Sequence, residues 1–227
     1  MSKHILMVMT SHELLGDTGK KTGMWLEEFA SPYYAFKDAG YTITLASPMG
    51  GQVPIDPNSL ADDAMTDDAI RYTKDEVARS AMSSTIVLED VRADEFDAVF
   101  YPGGHGPLWD LSDNTHSTML IEDMVKAQKP VGAVCHAPIV LKEVKRADGE
   151  FFINGKTVTG FSNSEEDAMG LTDVVPYLVE DALISKGGKY ESTEDFGVKV
   201  CVDGLLVTGQ NPASSGPAAE ALIKVLM

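Results

Sequence analysis

The residue most able to do chemistry in this chain is Cys135. It ends the apolar run Val131-Gly132-Ala133-Val134. His136-Ala137-Pro138 follows it, then a renewed apolar pattern at Ile139, Val140 and Leu141. That order predicts a short buried strand that turns sharply into a helix, with the thiol on the turn. Small neighbours leave the sulfur projecting from the backbone. The N–H groups that open the next helix favour a thiolate over a thiol. A free cysteine is more often a core residue; the strand-to-helix break is what argues for reactivity here. The second cysteine, Cys201, lies mid-strand among Val198, Val200 and Val202. Alternation leaves its exposure open, and it is given no role.

Few other side chains compete for a part. Adjacent residues usually point apart, so spacing alone does not make His136 the base for Cys135; its backbone N–H is a candidate oxyanion donor. Gly103-Gly104-His105-Gly106 fails as a dinucleotide fingerprint, because the third glycine is replaced by Trp109 and Pro107 stands where a helix should open. It also lacks the Gly-Lys-Ser/Thr ending of a phosphate loop, so an oxyanion loop is the better reading. Glu27 and Glu28 lie beside Trp25, Leu26 and Phe29. If the aromatic residues face a sheet, Glu28 is the more inward acid, and burial would let it hold a proton at neutral pH. Glu165-Glu166-Asp167 fits either the orientation of a histidine or the capping of a helix. The five histidines (4, 12, 105, 116 and 136) show no i,i+4 pair, and there is no Cys-x-x-Cys. Neither a structural nor a catalytic zinc site is expected.

The elements that must hold these groups can be read in order. Ile5 to Met9 is a strand buried on both faces. Ser11 to Thr22 is a loop. Gly23 to Gly40 is helical, with Pro32 as an interruption and Gly40 as its stop. Tyr41 to Ala46 is a second strand. Residues 52–85 are acidic, open with Pro54 and Pro57, and could be helical over Ala69 to Ala81; they read as a cap inserted into the domain. Ile86 to Leu88 and Asp97 to Tyr101 are strands, and Ser112 to Gln128 is a helix with Met119, Leu120, Met124 and Val125 inward. Asn154-Gly155, between Phe151–Ile153 and Thr157–Thr159, signals a hairpin. Asp173 to Lys186 reads as an amphipathic helix. A second hairpin crosses Asp203-Gly204, and Asn211 caps a last helix with Pro212 at its first position.

Alternating strands and helices predict an α/β fold, a parallel-rich sheet sandwiched by helices, with the site outside the carboxyl ends of the strands. A chain of 227 residues suits one domain, 1–227, with the cap at about 52–85. With 18 basic and 35 acidic residues the net charge is −17. Such a surface repels phosphate backbones and anionic lipid, which sets nucleic-acid and membrane roles aside. The first apolar run is too short for a signal peptide or a membrane span. Two cysteines are too few for a secreted disulfide framework, so a reducing, cytoplasmic setting is expected.

Taken together these motifs resemble the ThiJ/PfpI superfamily, with its flavodoxin-like, class I glutamine-amidotransferase-like fold. The resemblance spans nearly the whole chain. It is carried by Lys21-Thr22-Gly23-Met24-Trp25-Leu26-Glu27-Glu28, Asp56-Pro57-x-Ser59-Leu60, Phe96 to Gly106, Ala133-Val134-Cys135-His136-Ala137-Pro138, Thr159-Gly160-Phe161, and Thr208-Gly209-x-Asn211-Pro212-x-Ser214. The chain is most similar to the heat-shock chaperone and glyoxalase III-like branch. The resemblance implies that Cys135 is a nucleophile, His136 its triad histidine, Glu28 the acid that hydrogen-bonds the thiol and Glu166 the acid that orients the histidine, with a slip to Glu165 open. It implies an oxyanion site at Gly104, His105 and His136, and neither a cofactor nor a metal. The implied activity is a glutathione-independent glyoxalase that turns methylglyoxal and similar 2-oxoaldehydes into 2-hydroxy acids such as D-lactate. The same superfamily includes redox-responsive holdase chaperones and cysteine amidases or peptidases. The implied partners are the 2-oxoaldehyde and a second copy of the chain in a homodimer.

Overall fold

The computed structural model describes residues 2–227. Nine strands occur among them: β1 (His4–Val8), β2 (Thr42–Ser47), β3 (Ile86–Val87), β4 (Ala98–Tyr101), β5 (Val131–Val134), β6 (Thr157–Val158), β7 (Lys189–Tyr190), β8 (Val200–Asp203) and β9 (Leu206–Gly209). The helices are α1 (Leu26–Asp38), α2 (Asp67–Lys74), α3 (Glu76–Ser83), α4 (Pro107–Asp110), α5 (Thr115–Lys126), α6 (Asn163–Ala168), α7 (Val179–Ser185) and α8 (Ser215–Leu226). Seven strands form one sheet in the order β3-β2-β1-β4-β5-β9-β8, parallel except for the edge pair β8–β9. This is the α/β architecture that the alternating pattern predicts.

Burial on both faces explains the unbroken apolar strands. Leu6, Val8, Val99, Tyr101, Val131 and Ala133 point into a core shared with α5 and α7. Their neighbours Ile5, Met7, Ala98, Phe100 and Val134 point into the opposite core, under α1 and α8. The expected hairpin across Asp203-Gly204 is present as β8–β9, with Val200 opposite Gly209 and Asp203 opposite Leu206. Cys201, left open by its sequence, is 4 % exposed, while Val198 and Val202 face solvent.

Several elements depart from the sequence pattern. No hairpin crosses Asn154-Gly155. Phe152 and Ile153 sink into the core, and Lys156 N–H turns back to Ile153 O. Thr157–Val158 pairs instead in parallel with Lys189–Tyr190, and Asp203 accepts from the Thr157 N–H. The helix expected over 173–186 begins only at Val179, because Pro176 carries no N–H and restrains the residue before it. The helix expected over 69–81 breaks at Asp75, whose side chain caps α3 through the Val77 and Ala78 N–H groups. Pro32 does not interrupt α1. Met119 faces solvent rather than the core; the inward stripe of α5 is Ser117, Leu120, Ile121 and Met124. Asn211 does not cap the last helix with its side chain, because that amide is engaged elsewhere. Residues 52–85 form a short 3-10 turn, α2 and α3, and pack on α1 through Phe29–Tyr72 and the Tyr34–Asp75 hydrogen bond.

Candidate active site

Cys135 follows β5 directly, with φ at 60° and its N–H bonded to Gly209 O. A left-handed backbone at a non-glycine residue is a strained turn, and it aims the sulfur out of the sheet end. The residue is nevertheless only 3 % exposed, because the site has been closed over by other loops.

Adjacent in sequence, Cys135 and His136 do meet. Cys135 Sγ lies 3.2 Å from His136 Nδ1, and His136 Nε2 lies 2.7 Å from Glu166 Oε2. The strained turn is what brings neighbouring side chains together, which spacing in an extended chain forbids. The other oxygen of Glu166 lies 2.9 Å from His105 Nε2, and the two imidazole centroids are 4.0 Å apart. A carboxylate only accepts, so each Nε2 carries the hydrogen and donates. Burial raises the Glu166 carboxyl, but His136 and His105 outweigh it and hold the acid well below the usual carboxylate range. Burial, aided by the His105 ring beside it, lowers His136 to about 4 against the pull of Glu166. At neutral pH His136 is therefore neutral, with a free lone pair on Nδ1 facing the sulfur.

Glu165 takes no part in this contact. It closes a capping box with Ser162 at the start of α6 and accepts from Phe196 N–H and Asn211 Nδ2, each at 2.8 Å. The one-residue ambiguity in the acidic cluster is thus resolved in geometry: Glu166 faces the histidines and Glu165 faces away.

Glu28 approaches from α1. Its side chain is wholly buried, and Oε2 accepts from Gly103 N–H at 2.8 Å. Oε1 has no nitrogen or oxygen partner. Burial pushes the carboxyl up to about 8, although Cys135 and the N–H groups of Gly103 and Gly104 favour its anion. Burial and the Glu28 carboxylate in turn push the Cys135 thiol up, while the Gly104 N–H pulls it down. Both shifts favour the protonated forms, so at neutral pH the carboxyl and the thiol each hold a proton. With Glu28 protonated the repulsion vanishes, and once the thiol proton passes to His136 Nδ1 the carboxyl can hydrogen-bond the thiolate.

Gly104, with φ at 85°, presents its N–H to the sulfur side. Neither that N–H nor the His136 N–H makes a backbone hydrogen bond among the described residues. Backbone donors beside a nucleophile can hold a developing oxyanion, and the Gly104 N–H already favours the anions of Glu28 and Cys135. His105 contributes its ring to Glu166. Glu28, Gly104, His105, Cys135 and His136 line a cavity of about 90 Å³ together with Trp25, Phe161, Met169, Phe196 and Pro212. A wider groove of about 380 Å³ around Val91, Met119 and Leu120 holds no cysteine. No residue of 52–85 lines the small cavity. The sequence did not point to Phe196 or Met169, since a lone apolar residue in a polar turn or at the end of a short helix gives no periodic signal.

The facing atoms of His105, His136 and Glu166 lie within 4.8 Å of one another and could hold a metal ion, a grouping that histidine spacing did not suggest. Hydrogen bonds among the three already satisfy those atoms.

The chain matches the DJ-1/PfpI family over residues 21–224. It belongs to that family. At 39 % identity it superimposes on the Francisella tularensis Rapid Encystment Protein 24 kDa with a TM-score of 0.95, covering 99 % of both chains. Candida albicans glyoxalase III is 27 % identical, with a TM-score of 0.92 over 98 % of this chain and 97 % of that one. A Schizosaccharomyces pombe relative named as a probable glutathione-independent glyoxalase is 29 % identical over 92 % of each chain. These similarities agree with the glyoxalase III-like branch. No helix among the described residues is long and apolar enough to cross a membrane.

Proposed function

We propose that this member of the DJ-1/PfpI family is a glutathione-independent glyoxalase, converting methylglyoxal and related 2-oxoaldehydes to 2-hydroxy acids in a reducing, cytoplasmic setting. The observation that carries the reading is the pairing of Cys135 with the buried, proton-holding Glu28 in the lining of a small apolar cavity. The relatives named as glyoxalases support it.

The chemistry follows from the residues. His136 Nδ1 takes the thiol proton as the Cys135 sulfur adds to the aldehyde carbon, and the oxygen, held by the Gly104 and His136 N–H groups, takes a proton from Glu28. The product is a hemithioacetal, and Glu28 is left as a carboxylate whose proton affinity burial has raised. Glu28 then takes the hydrogen from the former aldehyde carbon, giving an enediol, and returns it to the neighbouring carbon. His136, carrying the former thiol proton, gives it to the second oxygen, takes the hydroxyl proton of the first, and passes that one to the Glu28 carboxylate, which leaves the imidazole neutral. The result is a thioester of the 2-hydroxy acid. Water, deprotonated by His136, cleaves it and releases the thiolate. One carbon is oxidised as its neighbour is reduced, so no redox cofactor is consumed.

The test is lactate formation from methylglyoxal without glutathione, by wild type and Cys135→Ala side by side. Lactate from the first alone supports the reading. None from wild type with a reduced thiol would sink it. The reading includes assembly as a homodimer, and a sedimentation mass of a single chain would remove that part.

A further inference from the structure

Phe196 has a backbone that its side chain disfavours. It is the third residue of a turn closed by Gly197 N–H to Glu194 O at 3.0 Å, and its φ is 61°. That position ordinarily takes glycine or asparagine, and a bulky residue there is strained. Strain of this kind persists only where the surroundings over-determine it.

Here they do. The Phe196 N–H donates to buried Glu165 Oε1 at 2.8 Å, and Asn211 Nδ2 donates both to that same oxygen and to Gly197 O, at 2.8 and 2.7 Å. A buried carboxyl and a buried amide thus clamp a turn whose own sequence resists the shape. The ring they hold in place is half exposed outside, lines the cavity inside, and lies 6.4 Å from the Phe161 ring, which itself stacks near His136 at 4.3 Å. Phe196, Phe161 and Met169 line the same small cavity as Cys135, Glu28 and His136, and the surface exposed to it is apolar.

We propose that Phe196 is the specificity-determining wall of this site, narrowing the cavity it shares with Cys135 so that only a short apolar substituent fits beside the reacting carbonyl. Resting on the glyoxalase reading, the substrate class is then 2-oxoaldehydes with a substituent of one to a few carbons, with aryl-substituted ones rejected for size. The size limit itself belongs to the thiol's surroundings and holds whatever reaction Cys135 performs.

Phe196→Gly removes the wall and suits the turn, and Phe196→Asn is a second variant that the same backbone accepts. Two measurements separate the claims. The first is the rate of Cys135 alkylation by iodoacetamide, N-ethylmaleimide and N-phenylmaleimide, with the modified cysteine located by peptide mass mapping. Wild type should react more slowly as the reagent grows, and the variants should flatten that trend by at least tenfold for the largest reagent. An unchanged trend in both variants would overturn the proposal, with or without glyoxalase activity. The second is the ratio of kcat/KM for phenylglyoxal to that for methylglyoxal. It should rise about tenfold or more in the variants, on the scale at which apolar pockets discriminate size. A flattened alkylation trend with no aldehyde turnover by wild type would keep the wall and discard the glyoxalase. Turnover with an unmoved ratio would discard the substrate assignment.

Discussion

Glu166 Oε2 lies 2.7 Å from His136 Nε2, and that contact fixes which nitrogen of His136 faces Cys135. A carboxylate cannot donate, so Nε2 must, and Nδ1 is left to accept the thiol proton at 3.2 Å. Glu166→Gln keeps the shape but offers the ring an amide that can donate, which permits the wrong tautomer. Methylglyoxal turnover should fall about 10²- to 10⁴-fold, the range in which general-base catalysis acts. Circular dichroism and thermal unfolding should hardly change. Turnover within a few-fold of wild type would show that the tautomer is not set by this acid.

Glu165 predicts the opposite pattern. Its carboxylate accepts from Ser162, Phe196 and Asn211, and none of these contacts reaches the sulfur. Glu165→Leu would strand buried donors, so denaturant unfolding should show a loss of about 1–3 kcal/mol or more. Asn211→Leu should cost a similar amount. Because the two residues share a bond, the double variant should cost less than the sum of the single ones. Strict additivity would mean that the clamp on the Phe196 turn is not a unit.

Glu28 makes a prediction about pH. Its folded value of about 8 stands above the ordinary 4.5, so between these limits the folded chain keeps a proton that the unfolded chain has lost. Stability from this group is full below pH 4.5 and is lost as pH rises towards 8, by about 4–5 kcal/mol at most. Glu28→Gln carries no ionisable group there. Wild type should therefore lose stability relative to Glu28→Gln as pH rises from 5 to 8 in urea titrations. A flat difference would mean that Glu28 is ionised throughout. The same variant should lose methylglyoxal turnover.

Much of the frame was legible because strands buried on both faces must be continuously apolar. Ile5–Met9, Asp97–Tyr101 and Val131–Val134 announced themselves in that way. The strained turn at Cys135, with φ at 60°, falls where an apolar run ends at a thiol between small residues, but Ala137–Leu141 after it is a short 3-10 helix in place of the expected helix. What could not be read depended on distance in sequence. His105 and His136 meet only because the loops after β4 and β5 emerge side by side at one sheet end. Phe196 reaches the site only because Glu165 and Asn211 hold its turn. The apparent hairpin at Asn154-Gly155 failed because two of its residues were needed in the core, and tertiary burial outweighs a local turn signal.

Gly103 supplies the last prediction. It lies between the acid and the nucleophile, and a Cβ there would come within 2.5 Å of Glu28 Oε2, 2.6 Å of Val134 O and 3.0 Å of the Cys135 Cβ. Two of those neighbours are held by the sheet end and the elbow, so the side chain that can yield is Glu28. Gly103→Ala should therefore push the carboxyl off its bond with the residue 103 N–H and away from the sulfur. Turnover should fall at least tenfold, and stability by about 1–3 kcal/mol, the usual cost of overpacking. Gly103→Ala combined with Glu28→Gln should lose little further turnover, because both act on the same proton. A combined loss equal to the product of the two separate losses would mean that Gly103 serves the elbow directly and not through Glu28.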